Sequence, residues 1–189
     1  MMIEKLFREH NGYLHSHHLQ RNRQLYYHLQ KMVESGIVLK LKRGLYKHPE
    51  YAMLNHWQEV SLMYPKAVFC MHSACSFYEL TTYVPHTNHL AIENKQKMTL
   101  SDFPPVKLYY WSENIFNQHI TNQDGVRVYS LERTVCDAVK HDTQIGQDMV
   151  KEVVEAYLQR KDKNIELLLK TAQEVNAYNK VHQIFSILI

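Results

Sequence analysis

The sequence predicts an α+β chain: an N-terminal winged helix-turn-helix of about fifty residues, then a mixed α/β domain that ends in helices. Three observations predict it. The first fifty residues read as helix, helix, helix, hairpin, each too small to stand alone but able to share one core. That stretch holds nine Lys and Arg against four acids, a net of +5, while the rest of the chain is net −2. Beyond it, short β-like runs alternate with helical ones before three helices close the chain. The boundaries expected are 1–50 and 51–189. With 45% hydrophobic and 22% charged residues the chain has the composition of a folded protein, and five Gly and five Pro argue against a loop-rich β architecture.

In the N-terminal part, Met2 to Glu9 puts Ile3, Leu6 and Phe7 on one helix face, and Asn11-Gly12 ends it. Ser16 is the expected cap of a second short helix through about Gln20. Asn22 caps a third, Arg23 to Glu34, in which Leu25, Leu29 and Val33 form the expected buried stripe, flanked by Tyr26 and Met32. Ser35-Gly36 closes it. Ile37 to Leu41 alternates as a strand, Lys42-Arg43-Gly44 turns, and Leu45 to Lys47 returns.

A connecting helix is expected over about Tyr51 to Tyr64. Val68 to Met71 reads as a strand, and a helix runs from Ser73 to about Leu80. Strands are expected at Leu90 to Glu93, Lys107 to Trp111 and Val126 to Tyr129. Ser130 caps a helix over Leu131 to Lys140, with Glu132 in the first turn where the helix dipole favours an anion. Its apolar stripe is Leu131, Val135 and Ala138, and Arg133 is expected to pair with Asp137 four residues on. Helices follow at about Gln147 to Gln159, Asn164 to Asn176, and Tyr178 to Leu188.

The positive excess points to a polyanion partner for the N-terminal part. On the third helix Arg23, Gln24, Tyr27, His28 and Lys31 lie opposite the apolar stripe, the placement a helix needs to read base edges in a major groove. Arg pairs bidentately with guanine and Gln with adenine. Arg21 and the helix N-terminus are candidates to hold a phosphate. The hairpin adds Lys40, Lys42 and Arg43, suited to the backbone or minor groove. A single winged helix buries little DNA surface, so the expected target is double-stranded DNA with an inverted repeat, met by a homodimer.

Other chemistry finds less support. Cys70, Cys75 and Cys136 lack zinc-knuckle spacing and read as buried thiols, so neither metal nor cofactor is expected. Glu93-Asn94-Lys95 follows a strand, where a metal-dependent nuclease carries an acid-x-lysine pair, but Val60 to Ile92 offers only Glu79 as a further carboxylate. No phosphate-binding glycine loop occurs, and His72-Ser73 lacks an evident orienting acid. No run of 18 apolar residues and no signal-peptide core is present, which places the expected protein in the cytoplasm. A winged helix that binds protein instead of DNA is the remaining alternative.

Three segments resemble the AbiEi antitoxins, transcriptional regulators of type IV toxin–antitoxin and abortive-infection systems. They are Leu39-Lys40-Leu41-Lys42-Arg43-Gly44-Leu45-Tyr46; His72-Ser73-Ala74 through Tyr78-Glu79-Leu80-Thr81 to Pro85; and Val126 through Val139, with Ile145-Gly146 following. Family members often carry glycine where this chain has Glu79. The resemblance implies a non-enzymatic repressor that binds its own operator and, through the C-terminal domain, opposes a nucleotidyltransferase-like toxin.

Overall fold

A computed structural model describes residues 2–188 and shows a mixed α+β protein with two sheets. The chain divides into two compact units. One runs through Tyr64 and takes in Thr99–Phe103; the other holds Pro65–Met98 and the chain from Pro104 on.

The first unit is built around a cluster of Ile3, Phe7, Leu14, Leu19, Leu25, Leu29, Met32 and Val38. Helix α1 (Met2–Glu9) contributes the first two and ends in a Schellman turn. Gly12 N donates to Phe7 O at 2.7 Å, and Asn11 N to Arg8 O at 3.3 Å, with Asn11 in the left-handed region at φ 52°. Gly12 is required on steric grounds: a Cβ there would stand 2.4 Å from the Ala52 nitrogen. Strand β1 (Tyr13–His15), which the sequence did not announce, follows at once. A 3₁₀ turn at Ser16–Leu19 and helix α2 (Arg23–Glu34) come next. Ser16 is the first residue of that turn and His15 is its cap, a shift of one residue from expectation. Asn22 does cap α2, accepting from Gln24 N and Leu25 N.

Strands β2 (Leu39–Lys42) and β3 (Leu45–Lys47) form the hairpin, and β1 pairs antiparallel on the other side of β3. The hairpin turns at Arg43-Gly44, where Gly44 takes φ 77°. Helix α3 (His56–Met63) is shorter than the helix expected from Tyr51, because Asn55 starts it with a capping box on Gln58.

In the second unit a five-stranded sheet runs in the order β6-β5-β4-β8-β7. Its strands are β4 (Val68–Phe69), β5 (Asn88–Glu93), β6 (Val106–Trp111), β7 (Ile120–Gln123) and β8 (Val126–Tyr129). The β5/β6 and β4/β8 pairs are parallel; β4/β5 and β7/β8 are antiparallel. Strand β4 stops two residues before its expected end because Met71 turns left-handed, φ 49°, and opens helix α4 (Met71–Phe77). That helix closes in a Schellman turn whose left-handed residue is Glu79, φ 56°: Leu80 N donates to Cys75 O and Glu79 N to Ser76 O. Short helices α5 (Glu113–Phe116) and α7 (Asp142–Ile145) were not expected. Helices α6 (Leu131–Lys140), α8 (Gln147–Gln159), α9 (Ile165–Glu174) and α10 (Tyr178–Leu188) complete the unit.

Helix α6 is its axis, packing against α4, α8, α9 and α10. Every residue from Glu132 to Val139 is buried, so the charged side chains of Glu132, Arg133 and Asp137 belong to the interior. The 1%-exposed Arg133 donates through Nε to Asp137 at 2.8 Å and through Nη1 to the carbonyls of Ile115 and Gln118. Its guanidinium also lies over the rings of Tyr129 (4.6 Å) and Trp111 (5.0 Å). Ser130 caps the helix as expected. No helix among the described residues is long and apolar enough to cross a membrane.

Candidate nucleic-acid interface

Helix α2 separates its faces cleanly. Leu25, Leu29 and Met32 are buried, and Val33 and Tyr26 sit at their margins, so the stripe ends one position earlier than expected. On the other side Arg23, Gln24, Tyr27, His28 and Lys31 are all exposed, Tyr27 by 61%. Gln30 is exposed among them; sequence reasoning passed over it, although its spacing of seven from Arg23 puts it on the same face.

These cations are not equivalent. Arg21, Arg23, Lys40 and Arg43 are exposed and belong to no ion pair among the described residues. Lys31 is paired with Glu34 at 2.8 Å, an exposed pair that weakly holds it in place. Lys42 departs from the expected role. Its ammonium donates to the Met63 carbonyl and stands 5.4 Å from the Tyr64 ring. Burial lowers its pKa. It fastens the hairpin to the end of α3 and does not share the exposed edge with Lys40 and Arg43. Lys47, likewise, is engaged by Glu59, which also accepts from the Tyr13 hydroxyl.

The helix N-terminus offers less to a phosphate than the sequence suggested. The amides of Gln24 and Leu25 are already taken by the Asn22 side chain. What remains around it is Arg21, held at φ 60° in the left-handed turn that leads into α2.

Two sites in the second unit bear on the alternatives. Glu93 ends β5, and a cavity of about 300 Å³ there is lined by Glu93, Asn94, Lys95, Ser112, Glu113 and Asn114. Glu113, the first residue of α5 just beyond the neighbouring parallel strand β6, is the second carboxylate that the sequence upstream of Glu93 did not supply. Among the described residues, however, no group of three His, Cys, Asp or Glu is arranged to hold a metal ion. His72 and His89 lie 4.5 Å apart between ring centroids, and His89 Nδ1 is bonded to the Tyr109 hydroxyl at 2.9 Å. Burial holds the His89 imidazole down at about 4. Ser73 Oγ accepts from the His89 amide, so it serves the fold here and is not aimed at an imidazole. Cys70, Cys75 and Cys136 are free and buried, with the Cys75 thiol pushed up to about 12 by burial.

No family model and no curated protein matches the chain. Among solved structures its fold is similar to that of the RV2827C protein from Mycobacterium tuberculosis. The sequences are 10% identical, the TM-score is 0.61, and the match covers 95% of this chain and 76% of that one. A likeness at this identity concerns the fold.

Proposed function

We propose that this chain is a DNA-binding transcriptional repressor. Its N-terminal unit reads as a winged helix-turn-helix, with α2 as the recognition helix and the β2–β3 hairpin as the wing. One observation carries the proposal: the exposed face of α2 bears Arg23, Gln24, Tyr27, His28 and Gln30 opposite the buried Leu25–Leu29–Met32 stripe. Arg21, Lys40 and Arg43 add exposed cations around it, suited to phosphates. In this reading Arg23 and Gln24 read base edges and Arg43 grips the backbone.

The resemblance to the AbiEi antitoxins extends the proposal. The protein represses its own operon and opposes a nucleotidyltransferase-like toxin, with no reaction of its own. The antitoxin part rests on that resemblance alone. Co-expression with a nucleotidyltransferase-like protein encoded beside it tests this part: restored growth is expected, and undiminished toxicity overturns it.

The DNA reading is tested by fluorescence anisotropy against the duplex upstream of its own gene, with unrelated duplex as competitor. Sequence-selective, salt-sensitive binding is expected, and it should be lost in the Arg23→Ala, Arg43→Ala double variant. Binding no stronger than to the competitor, or unaltered by the double variant, overturns it. The shared cavity of Glu93, Lys95 and Glu113 keeps a nuclease reading as the second one. Divalent-metal-dependent cleavage of DNA that Glu93→Ala abolishes would establish it.

A further inference from the structure

Four histidines gather at one edge of the first unit. The rings of His10 and His18 are stacked, 3.9 Å between centroids and 7° from parallel. His17 meets His18 edge-on at 4.2 Å, and His15 stacks on His17 at 5.1 Å. They come from the residue just after α1, from β1 and from the 3₁₀ turn, so the tight Asn11–Gly12 turn is what folds His10 back onto the others. His15 N donates to His18 Nδ1 at 3.3 Å, a bond that needs this nitrogen unprotonated.

The cluster adjoins the wing and the entry to the recognition helix. Ser16 N donates to Gly44 O at 2.8 Å, and Ser16 Oγ is 3.0 Å from where a Cβ on Gly44 would stand. On the other side Gln20 and Arg21, both left-handed, lead directly into α2. The charged and titratable groups acting on His15 are His17, Lys42 of the hairpin and His10; those acting on His18 are His10, His17 and His15. No carboxylate is among them. Desolvation first, then these neighbours, lowers the pKa of both His15 and His18. The free protein therefore resists filling the cluster with protons, since adjacent imidazolium rings repel each other. An anion laid against the edge removes that resistance.

We propose that this histidine cluster is a proton-coupled contact to the DNA backbone, with a phosphodiester group as its ligand and protons taken up on binding. The inference rests on the DNA-binding reading of the same unit and adds its regulation: the grip tightens as pH falls. The sign follows from linkage: a bound phosphate raises the imidazole pKa, so the complex holds more protons than its parts, and acid favours it.

The test uses the full chain and a fluorescent mixed-sequence duplex of about 30 base pairs, because backbone contacts do not need an operator. At constant ionic strength, affinity is expected to rise about tenfold from about pH 8 to about pH 6. The His17→Gln, His18→Gln variant should lose most of the rise. The single His17→Gln variant, altered only at an exposed ring, should lose part of it. His182→Gln, exposed on α10 in the second unit, should keep it. Calorimetry in two buffers of different ionisation enthalpy reads proton uptake by the wild type with no substitution at all, and net uptake is expected at about pH 6.5. A full pH response in the double variant, or no proton uptake, overturns the inference while leaving DNA binding intact. No saturable binding by the wild type at either pH overturns the DNA-binding reading and this inference together.

Discussion

The two units handle charge in opposite ways. In the first, Arg21, Arg23, Lys40 and Arg43 face solvent with no ion-pair partner among the described residues. In the second, the arginine in the first turn of the axial helix α6 is buried to 1% exposure, paired with Asp137 and covered by two aromatic rings. An exposed cation costs little to keep and is available to a polyanion. A buried one is tolerated only when its partners are fixed, so it locks geometry. The difference separates residues to be tested by binding from residues to be tested by folding.

The largest expected effect breaks the buried side of this comparison. Asp137→Ala leaves the Arg133 guanidinium uncompensated in the interior and should destabilise the protein by about 3–5 kcal/mol, read from denaturant unfolding. A loss below about 1 kcal/mol, the range of an exposed pair, would mean that the pair is solvated and that the contrast fails. Next comes the exposed side. Arg23→Ala should weaken binding by roughly 1–3 kcal/mol at one operator position and leave stability within about 0.5 kcal/mol of the wild type.

Lys40 and Lys42 sharpen the contrast within a single strand. Lys40→Ala should flatten the dependence of log affinity on log salt by about one unit. Lys42→Ala should leave that slope unchanged and instead cost about 1 kcal/mol of stability, since it removes the hydrogen bond to Met63. Equal salt slopes for the two variants would return Lys42 to the interface. The smallest effect concerns backbone. Glu79 holds a left-handed conformation that disfavours a side chain, so Glu79→Gly should raise stability by about 0.5–1 kcal/mol in thermal unfolding.

Local signals made much of this fold legible. Asn22 and Gly36 bound α2, the Arg43-Gly44 turn marks the hairpin, and Ser130 starts α6, each through chemistry spanning a few residues. The pairing of Arg133 with Asp137 was legible for the same reason, since four residues is one helical turn. Its burial was not, because Trp111 and Tyr129 arrive from separate strands. Strand β1 is too short to show a pattern, and β7, at the sheet edge, ends on exposed Asn122 and Gln123. The candidate interface follows the same division. The outward face of α2 could be read from its periodicity, whereas the inward turn of Lys42 depends on a carbonyl 21 residues away. The histidine cluster was visible as composition only: the ring contacts arise when a left-handed turn reverses α1 onto β1.

The first unit is not one continuous stretch of chain. It leaves at Tyr64 and returns for Thr99–Phe103, where the Tyr64 hydroxyl meets Ser101 Oγ at 2.7 Å and accepts from the Ser101 amide. A gene fusion with one junction at residue 64 would carry the helices and the hairpin but not that returning pentapeptide. Tyr64 is 2% exposed, and its hydroxyl would then lose both of these bonds on the donated fragment. Reshuffling this module between genes therefore takes two seams, a barrier to its inheritance apart from the chain that follows it.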